Sequence, residues 1–208
     1  MKMSITQALA ELKLLDARIN KAIDKGCFCV GYMAGTKIGG SLTPAESEAK
    51  IKSEWDSVHD LITRRANIKT KIVASNAATI VNVGGSEMTV AEAIERKASI
   101  VYEVNLLAKL QRDFHEATAK VTLGNESAMQ KAQNSLDIVL GKDGGKNPSK
   151  DDMATIYDPV FQRYEYKLQD PLDIAEKIEI LERGIGNFEH NVDFALSTSN
   201  AITTIEVD

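Results

Sequence analysis

Apolar residues recur along most of the chain at the three- and four-residue spacing of amphipathic helices. The first such stripe begins after Ser4, and Gln7 stands three residues further on, as in a capping box. Gly26 ends the periodic segment, and the glycine-rich residues 27–40 predict an extended loop or hairpin. We therefore predict a first helix between Ser4 and Gly26. Its apolar stripe consists of Ile5, Leu9, Leu12, Leu15, Ile19, Ala22 and Ile23.

A second helix has the clearest start in the sequence. Thr43 is placed to cap it, Pro44 suits the first helical position, and Glu46 completes a capping box. The pattern extends this helix to about Ala74, with a stripe of Ile51, Trp55, Val58, Ile62 and Ile72. Two heptad positions inside the stripe are polar, which is consistent with either a hydrated seam or a subunit contact. They hold Arg65 and Lys69.

A third helix is predicted to begin at Thr89, with Glu92 in the capping position. Its apolar residues cover more than one narrow seam, so we expect it to lie centrally and to be touched on two sides. These residues are Val90, Ile94, Ile100, Val101, Val104, Leu107, Leu110 and Phe114.

A fourth helix is predicted to begin with Asp170 as cap and Pro171 at the first position. It keeps a strict three-four alternation to about Ala195, through Ile174, Ile178, Leu181, Ile185, Phe188 and Val192. Gly184 and Gly186 lie inside it, which indicates close approach of a backbone or a local bend.

The tripeptide Ser-Asn-Ala occurs twice, at residues 75–77 and 199–201, and precedes a β-branched run both times. Because Asn tolerates the left-handed conformation, the tripeptide predicts an exit from helix to strand. With a hairpin turn at Gly84-Gly85, the pattern predicts one small mixed sheet from strands near 79–83, 86–88 and 201–207. We expect these segments to form a structural latch made of Ser75, Asn76, Ala77, Ile80, Val81, Val83, Ser199, Asn200, Ala201, Ile202, Ile205 and Val207.

The pattern loosens between residues 121 and 170, where glycines and a polar run bracket a short helix at 127–140 and a later stretch at 155–168. We predict an excursion from a bundle formed by residues 1–120 and 171–208. Its aromatic residues are candidates for contact with a neighbour: Tyr157, Phe161, Tyr164 and Tyr166. The predicted fold class is mainly α, an elongated antiparallel bundle of about four long helices with a small sheet at one end.

Composition narrows the function classes. The chain has 208 residues, of which 43% are hydrophobic and 26% charged, and no stretch approaches the length of a membrane span. The net charge of −5 argues against nucleic acid as a partner, because binding to phosphates needs clustered basic residues. The N-terminus shows no secretory signal, and Cys27 and Cys29 are too close for an unstrained mutual disulfide. These features favour synthesis in a cytosol.

No recognised pattern of catalytic or metal-binding residues is present. The histidines His59, His115 and His190 lie on three different predicted helices, and none has a second ligand at metal-site spacing. The glycine-rich run at 141–146 lacks the Gly-Lys-Ser/Thr ending of a phosphate loop, and the serines near glycine pairs lack the nucleophile-elbow pattern. We therefore expect no enzymatic activity, metal or cofactor.

Three blocks of sequence carry a family resemblance: residues 3–9, residues 61–97 and residues 192–207. The most specific element is Gly84-Gly85 followed by Thr-Val-Ala-Glu-Ala at 89–93. On these blocks the chain resembles the septicolysin-like helical family of bacteria, in the longer form found among virion proteins of tailed phages that infect Gram-positive hosts. Residues 121–170 are not covered by the resemblance.

The resemblance implies a structural component of a phage virion, at the head, neck, collar or tail, made in the host cytoplasm. Its partners would be other virion proteins and copies of itself, in a homo-oligomer within the assembly. Two alternatives stay open: a secreted or cell-associated cytolysin, which the family name suggests, and a cytoplasmic scaffold or chaperone for assembly.

Overall fold

The structure, a computed structural model, describes residues 1–141 and 148–207. Most of these residues are helical, so the predicted mainly-α class is confirmed. The predicted glycine-rich loop at 141–146 lies, apart from Gly141, outside the described residues. In chain order the elements are β1 (Lys2–Ser4), α1 (Ile5–Lys25), α2 (Pro44–Ala78), β2 (Ile80–Val83), β3 (Ser86–Thr89), α3 (Val90–Leu140), α4 (Lys150–Asp152), a π-helical turn (Met153–Tyr157), α5 (Asp158–Tyr164), α6 (Ile174–Ile202) and β4 (Thr204–Glu206).

Local capping chemistry sets the start of each of the first three long helices, as predicted. In each case the side chain of the capping residue accepts a hydrogen bond from a backbone N–H in the first turn. The side chain three residues further on accepts a hydrogen bond from the backbone N–H of the capping residue. The pairs are Ser4 with Gln7, Thr43 with Glu46, and Thr89 with Glu92. The bond from Thr89 N–H to Glu92 Oε2 is 2.7 Å long.

The buried face of α2 is offset from the predicted stripe. Trp55 and Ile62 were expected inside but are 58% and 43% exposed. The buried positions are Ser47, Val58, Ile68 and Ile72. The predicted apolar stripe and the buried stripe share Val58 and Ile72, so the sequence pattern alone cannot distinguish them. Of the polar seam positions, Arg65 pairs with Asp16 of α1 in the same chain, whereas Lys69 is exposed.

The helix α3 runs without a break from Val90 to Leu140, so the prediction of a separate short helix at 127–140 is wrong. The predicted break rested on Gly124, which lies inside α3. A Cβ at this position would lie well inside van der Waals contact with the ring of Tyr166. Glycine is therefore needed here for close packing, not for ending a helix.

The helix α6 begins at Ile174, slightly later than predicted, and the Asp170 carboxylate accepts a hydrogen bond of 2.9 Å from the Ile174 N–H. Its predicted face is buried at Ile185, Phe188 and Val192. The close backbone approach predicted at its two glycines is wrong, because a Cβ at Gly184 or Gly186 would meet nothing within 4 Å. The alternative, a local bend, stays a prediction.

The Ser-Asn-Ala tripeptides do not leave the helix through a left-handed residue. Both lie in the last turns of their helices, since α2 extends to Ala78 and α6 to Ile202. The predicted three-stranded sheet is also wrong. Among the described residues, the strand β2 pairs only with β3 and β4 only with β1, in two separate antiparallel two-stranded sheets. The first strand, β1, was not predicted, because it is three residues long and its partner lies at the other end of the chain.

The chain divides into two compact units. Unit 1 comprises residues 1–98 and 187–208, and unit 2 comprises residues 99–186. The main core of unit 1 joins side chains from β1, α1, α2 and β4, with Leu61 at its margin. Its members are Met3, Ile5, Ala8, Leu12, Leu15, Ile68, Ile72, Ile205 and Val207.

Replacing Ile205 with Asp should destabilise unit 1 by about 4 kcal/mol, because it removes a large apolar side chain from the core and places a charge there. Ile205 is only 6% exposed, whereas Thr204 beside it points to solvent. Thr204→Asp is therefore the matched control and should cost less than about 1 kcal/mol. Urea unfolding of both variants makes the comparison. Equal losses in the two variants would contradict the burial of Ile205.

Two of the capping boxes should depend on pH. Hydrogen bonds from the backbone N–H groups and then the hydroxyls of Thr43 and Thr89 hold the pKa of Glu46 and Glu92 below the ordinary value of 4.5. The stabilisation is therefore fully present above pH 4.5, the pKa of the unfolded chain, and is lost as the pH falls through the lowered folded value. The double variant Glu46→Gln/Glu92→Gln should keep both capping boxes, as the uncharged Gln7 does at Ser4, but it removes the two titrating carboxylates.

We expect the urea midpoint of this double variant to fall less than that of the wild type between about pH 6 and about pH 3. The reverse change, Gln7→Glu, should add acid sensitivity at α1. Parallel midpoint curves for all three proteins would show that the boxes contribute nothing to the pH dependence.

Candidate interaction surfaces

The strongest feature of unit 1 is an internal repeat of one joint, in which a helix ends in a strand, the strand pairs with another, and a second helix begins. In one copy α2 leads into β2, which pairs with β3 ahead of α3. In the other copy α6 leads into β4, which pairs with β1 ahead of α1. The predicted latch segments therefore occupy equivalent places in two different joints and do not pair with each other.

The backbone hydrogen bonds of the two joints correspond one to one. At the helix ends, Thr79 N–H donates to Ser75 O and Thr203 N–H donates to Ser199 O, each at 2.9 Å. At the helix starts, Val90 N–H donates to Thr79 O at 2.9 Å and Ile5 N–H donates to Thr203 O at 3.0 Å. The repeated tripeptide thus marks the end of a helix whose last carbonyl groups anchor the next strand and the next helix.

The strand registers also correspond. Val81 faces Met88 in one joint, and Ile205 faces Met3 in the other. Two glycines close the first joint covalently, with positive φ angles of 59° at Gly84 and 92° at Gly85, as in a type I′ hairpin. The second joint has no such turn.

Hydrogen bonds take the place of a turn in the second joint. The Met1 ammonium donates to Val207 O, and Val207 N–H donates to Met1 O at 2.9 Å. The two partners are 206 positions apart in sequence.

The chemistry between paired helices differs at one pair of corresponding positions. Between α2 and α1 the Arg64 guanidinium lies 2.7 Å from the Glu11 carboxylate, and both side chains are partly exposed. At the corresponding positions of α6 and α3 the Arg96 guanidinium lies 4.6 Å from the ring centroid of Phe188. An ion pair thus corresponds to a cation–π contact.

Some of the predicted latch residues are buried and others are exposed. The inward positions of the strands, Val81, Val83, Ile205 and Val207, are all 8% exposed or less. The outward strand position Ile80 is exposed, and it lies with Ile202, the last residue of α6, on one open groove of about 250 Å³ between β2 and the end of α6. Phe194 lies on the same groove and is 76% exposed, while Ile202 is 75% exposed. We call this surface the β2–α6 groove.

The four predicted interaction residues lie in unit 2, where Tyr157 and Phe161 contact each other and Tyr164 and Tyr166 contact α3. The rings of Tyr157 and Phe161 stack with centroids 6.2 Å apart. Lys131 of α3 places its Nζ 4.3 Å from the ring centroid of Tyr164. The structure thus brings all four near the second half of α3 or near each other.

The backbone of Tyr166 makes two hydrogen bonds to the side chain of Asn125. Its backbone N–H donates to Asn125 Oδ1 at 2.8 Å, and its carbonyl accepts from Asn125 Nδ2 at 3.0 Å. Its ring covers Gly124, although nearly half of the residue stays exposed.

An aromatic cluster at the start of the long 26–43 connection was not predicted from the sequence. The ring of Trp55 stacks on His59 at 5.9 Å and meets the edge of Phe28 at 6.3 Å. The signal was present, since Trp55 and His59 are four residues apart on a helix, but the predicted stripe had assigned Trp55 to the core. The Cys27 N–H beside this cluster donates to Glu54 at 2.7 Å.

Within residues 1–141 and 148–207, no group of three or more His, Cys, Asp or Glu side chains is placed to hold a metal ion. None of the described helices has a long enough apolar stretch to cross a membrane. Comparison with known protein families, curated proteins and solved structures gives no match to this chain.

Gly124→Ala should have opposite effects depending on Tyr166. In an open helix the change would stabilise by about 1 kcal/mol, but here the added methyl group displaces the Tyr166 ring, so we expect a net loss of about 1–2 kcal/mol. In a Tyr166→Ala background the same change should stabilise the protein. Gly184→Ala, at an open position, is the control and should stabilise by about 1 kcal/mol.

Thermal unfolding of the four proteins of this mutant cycle, with the control, measures the coupling. Additive effects of Gly124→Ala and Tyr166→Ala would show that the ring does not rest on the glycine.

Proposed function

We propose that this protein is a non-enzymatic structural component of a bacteriophage virion, which acts by packing against copies of itself and against other virion proteins. Two lines support the proposal: the resemblance carried by residues 3–9, 61–97 and 192–207, and the position of the exposed apolar residues of unit 1. The exposed apolar residues carry most of the weight.

Unit 1 leaves several large apolar side chains exposed. Surface that unit 1 does not bury against itself is available for burial against partners.

The uncovered surface includes large apolar groups gathered in one place. Ile80, Phe194 and Ile202 line the β2–α6 groove and lie on a framework held by the two strand joints. Apolar side chains on a well-ordered surface are typical of the central part of a protein interface, because they bury without a loss of hydrogen bonds.

Peptide mass spectrometry of purified particles of the phage that encodes this chain tests the proposal. We expect the chain at a fixed stoichiometry relative to the capsid or tail proteins. Abundance in infected cells together with absence from purified particles would contradict the virion role and favour an assembly scaffold. Leakage from liposomes on addition of the purified protein would instead favour a cytolysin.

The contribution of the β2–α6 groove can be tested separately. Phe194→Asp should leave the melting temperature nearly unchanged, because the side chain is exposed, but should lower incorporation into particles at least about tenfold if the groove is an interface. Tyr102→Asp, at a residue that is 74% exposed outside the groove, is the matched control. Equal incorporation of the two variants would exclude the groove as a contact.

A further inference from the structure

We propose that the segment formed by β1 and α1 is exchanged between two copies of this chain. In the exchanged form the segment of one copy fills, in its partner, the site that the partner's own segment would occupy. This inference goes beyond the proposed function, because it names the moving segment and the partner. It concerns the purified chain alone, so its test succeeds or fails separately from the particle experiment.

The segment is held entirely by contacts that a second copy can supply. Five of the nine core residues of unit 1, from Met3 to Leu15, belong to it, and the other four belong to α2, to β4 and to the residue just after β4. The ion pairs of Arg64 with Glu11 and of Arg65 with Asp16 also join the segment to α2. Exchange re-forms all of these contacts between chains, so the core loses nothing.

A hinge of sufficient length follows the segment. Residues 29–37 are all exposed, and they include Gly31 and Gly35, where an added Cβ would meet nothing within 4 Å. Cys27 and Phe28 contact α2 before the hinge, and the buried Ile38 bridges to Leu42 after it. Nine extended residues between these anchors span about 30 Å, which allows α1 to reach a neighbouring copy.

The other joint provides the contrast. The strand β3 is tied to β2 by Gly84-Gly85, so it cannot pair with the β2 of another copy without opening a two-residue turn. The strand β1 is joined to β4 without a turn, by hydrogen bonds across a sequence separation of up to 206 and by their shared apolar core. The same pairing is therefore fixed within one chain at the first joint and free to form between chains at the second.

Single-cysteine variants can report exchange directly. In a Cys27→Ser/Cys29→Ser background, one chain carries Lys2→Cys and a second carries Glu206→Cys. Lys2 and Glu206 face each other across β1 and β4 at exposed positions. The hydrogen-bonded pairs on either side make theirs a non-hydrogen-bonded pair, whose Cα separation of about 4.5 Å is compatible with a disulfide.

The two chains are mixed in denaturant, refolded together and oxidised, and the mixed disulfide is quantified by mass spectrometry. We expect a mixed-disulfide dimer whose ratio to monomer rises about tenfold for a tenfold rise in protein concentration while monomer dominates. The matched control is a mixture of Asn82→Cys and Glu87→Cys chains, which occupy the corresponding positions of the closed joint. A yield in the test mixture no higher than in the control mixture would overturn the proposal.

A second variant shows whether the disulfide reports exchange. In this circular permutant, residue 207 is joined to residue 1 through Gly-Gly, which gives the second joint the same turn as the first. The new chain ends lie in the hinge, between residues 32 and 34. The excess of mixed disulfide should then fall to the control value. An excess that persists after this closure would show that it arises from contact between surfaces and would also overturn the proposal.

Discussion

Unit 1 depends on one kind of interaction, a backbone hydrogen bond from the first residue of one helix to the carbonyl group at the end of another. Thr79 O and Thr203 O, at the ends of α2 and α6, accept hydrogen bonds from Val90 and Ile5, where α3 and α1 begin. Each bond satisfies a carbonyl and an amide that a helix terminus would otherwise leave without a partner. Because the strands between these points are short, the register of the strands and the placement of four helix ends are set together.

Burial follows from this arrangement. Once β4 lies beside β1, Ile205 and Val207 turn inward onto Met3, Ile5 and the apolar face of α2. The alternate positions of the strands then face outward, which leaves Ile80 of β2 exposed beside Ile202 and Phe194 of α6. One wall of the groove and the buried Val81 and Val83 are thus two faces of the same pleated strand. A surface suited to partners comes directly from the way the core is closed.

The sequence predicts those parts of this fold that local chemistry determines. The capping pairs at Ser4, Thr43 and Thr89 follow from residues three positions apart, so their prediction needed no knowledge of the fold. The offset of the buried face of α2 depends on α1, since Arg65 reaches an aspartate of that helix. The choice of strand partner depends on residues 206 positions apart, and two β-branched runs of similar sequence gave no means of choosing. Gly124 was misread because a glycine needed for a tyrosine ring looks, in sequence, like one that ends a helix.

The central claim is that unit 1 contains two equivalent strand joints, one closed by a turn and one closed by hydrogen bonds. Nuclear Overhauser effects between α-protons across the strands test it most directly, because such protons are close only in non-hydrogen-bonded antiparallel pairs. Two equivalent joints predict strong effects between Lys2 and Glu206 and between Asn82 and Glu87. Effects between residues 79–83 and residues 201–207 in place of these two would contradict the claim.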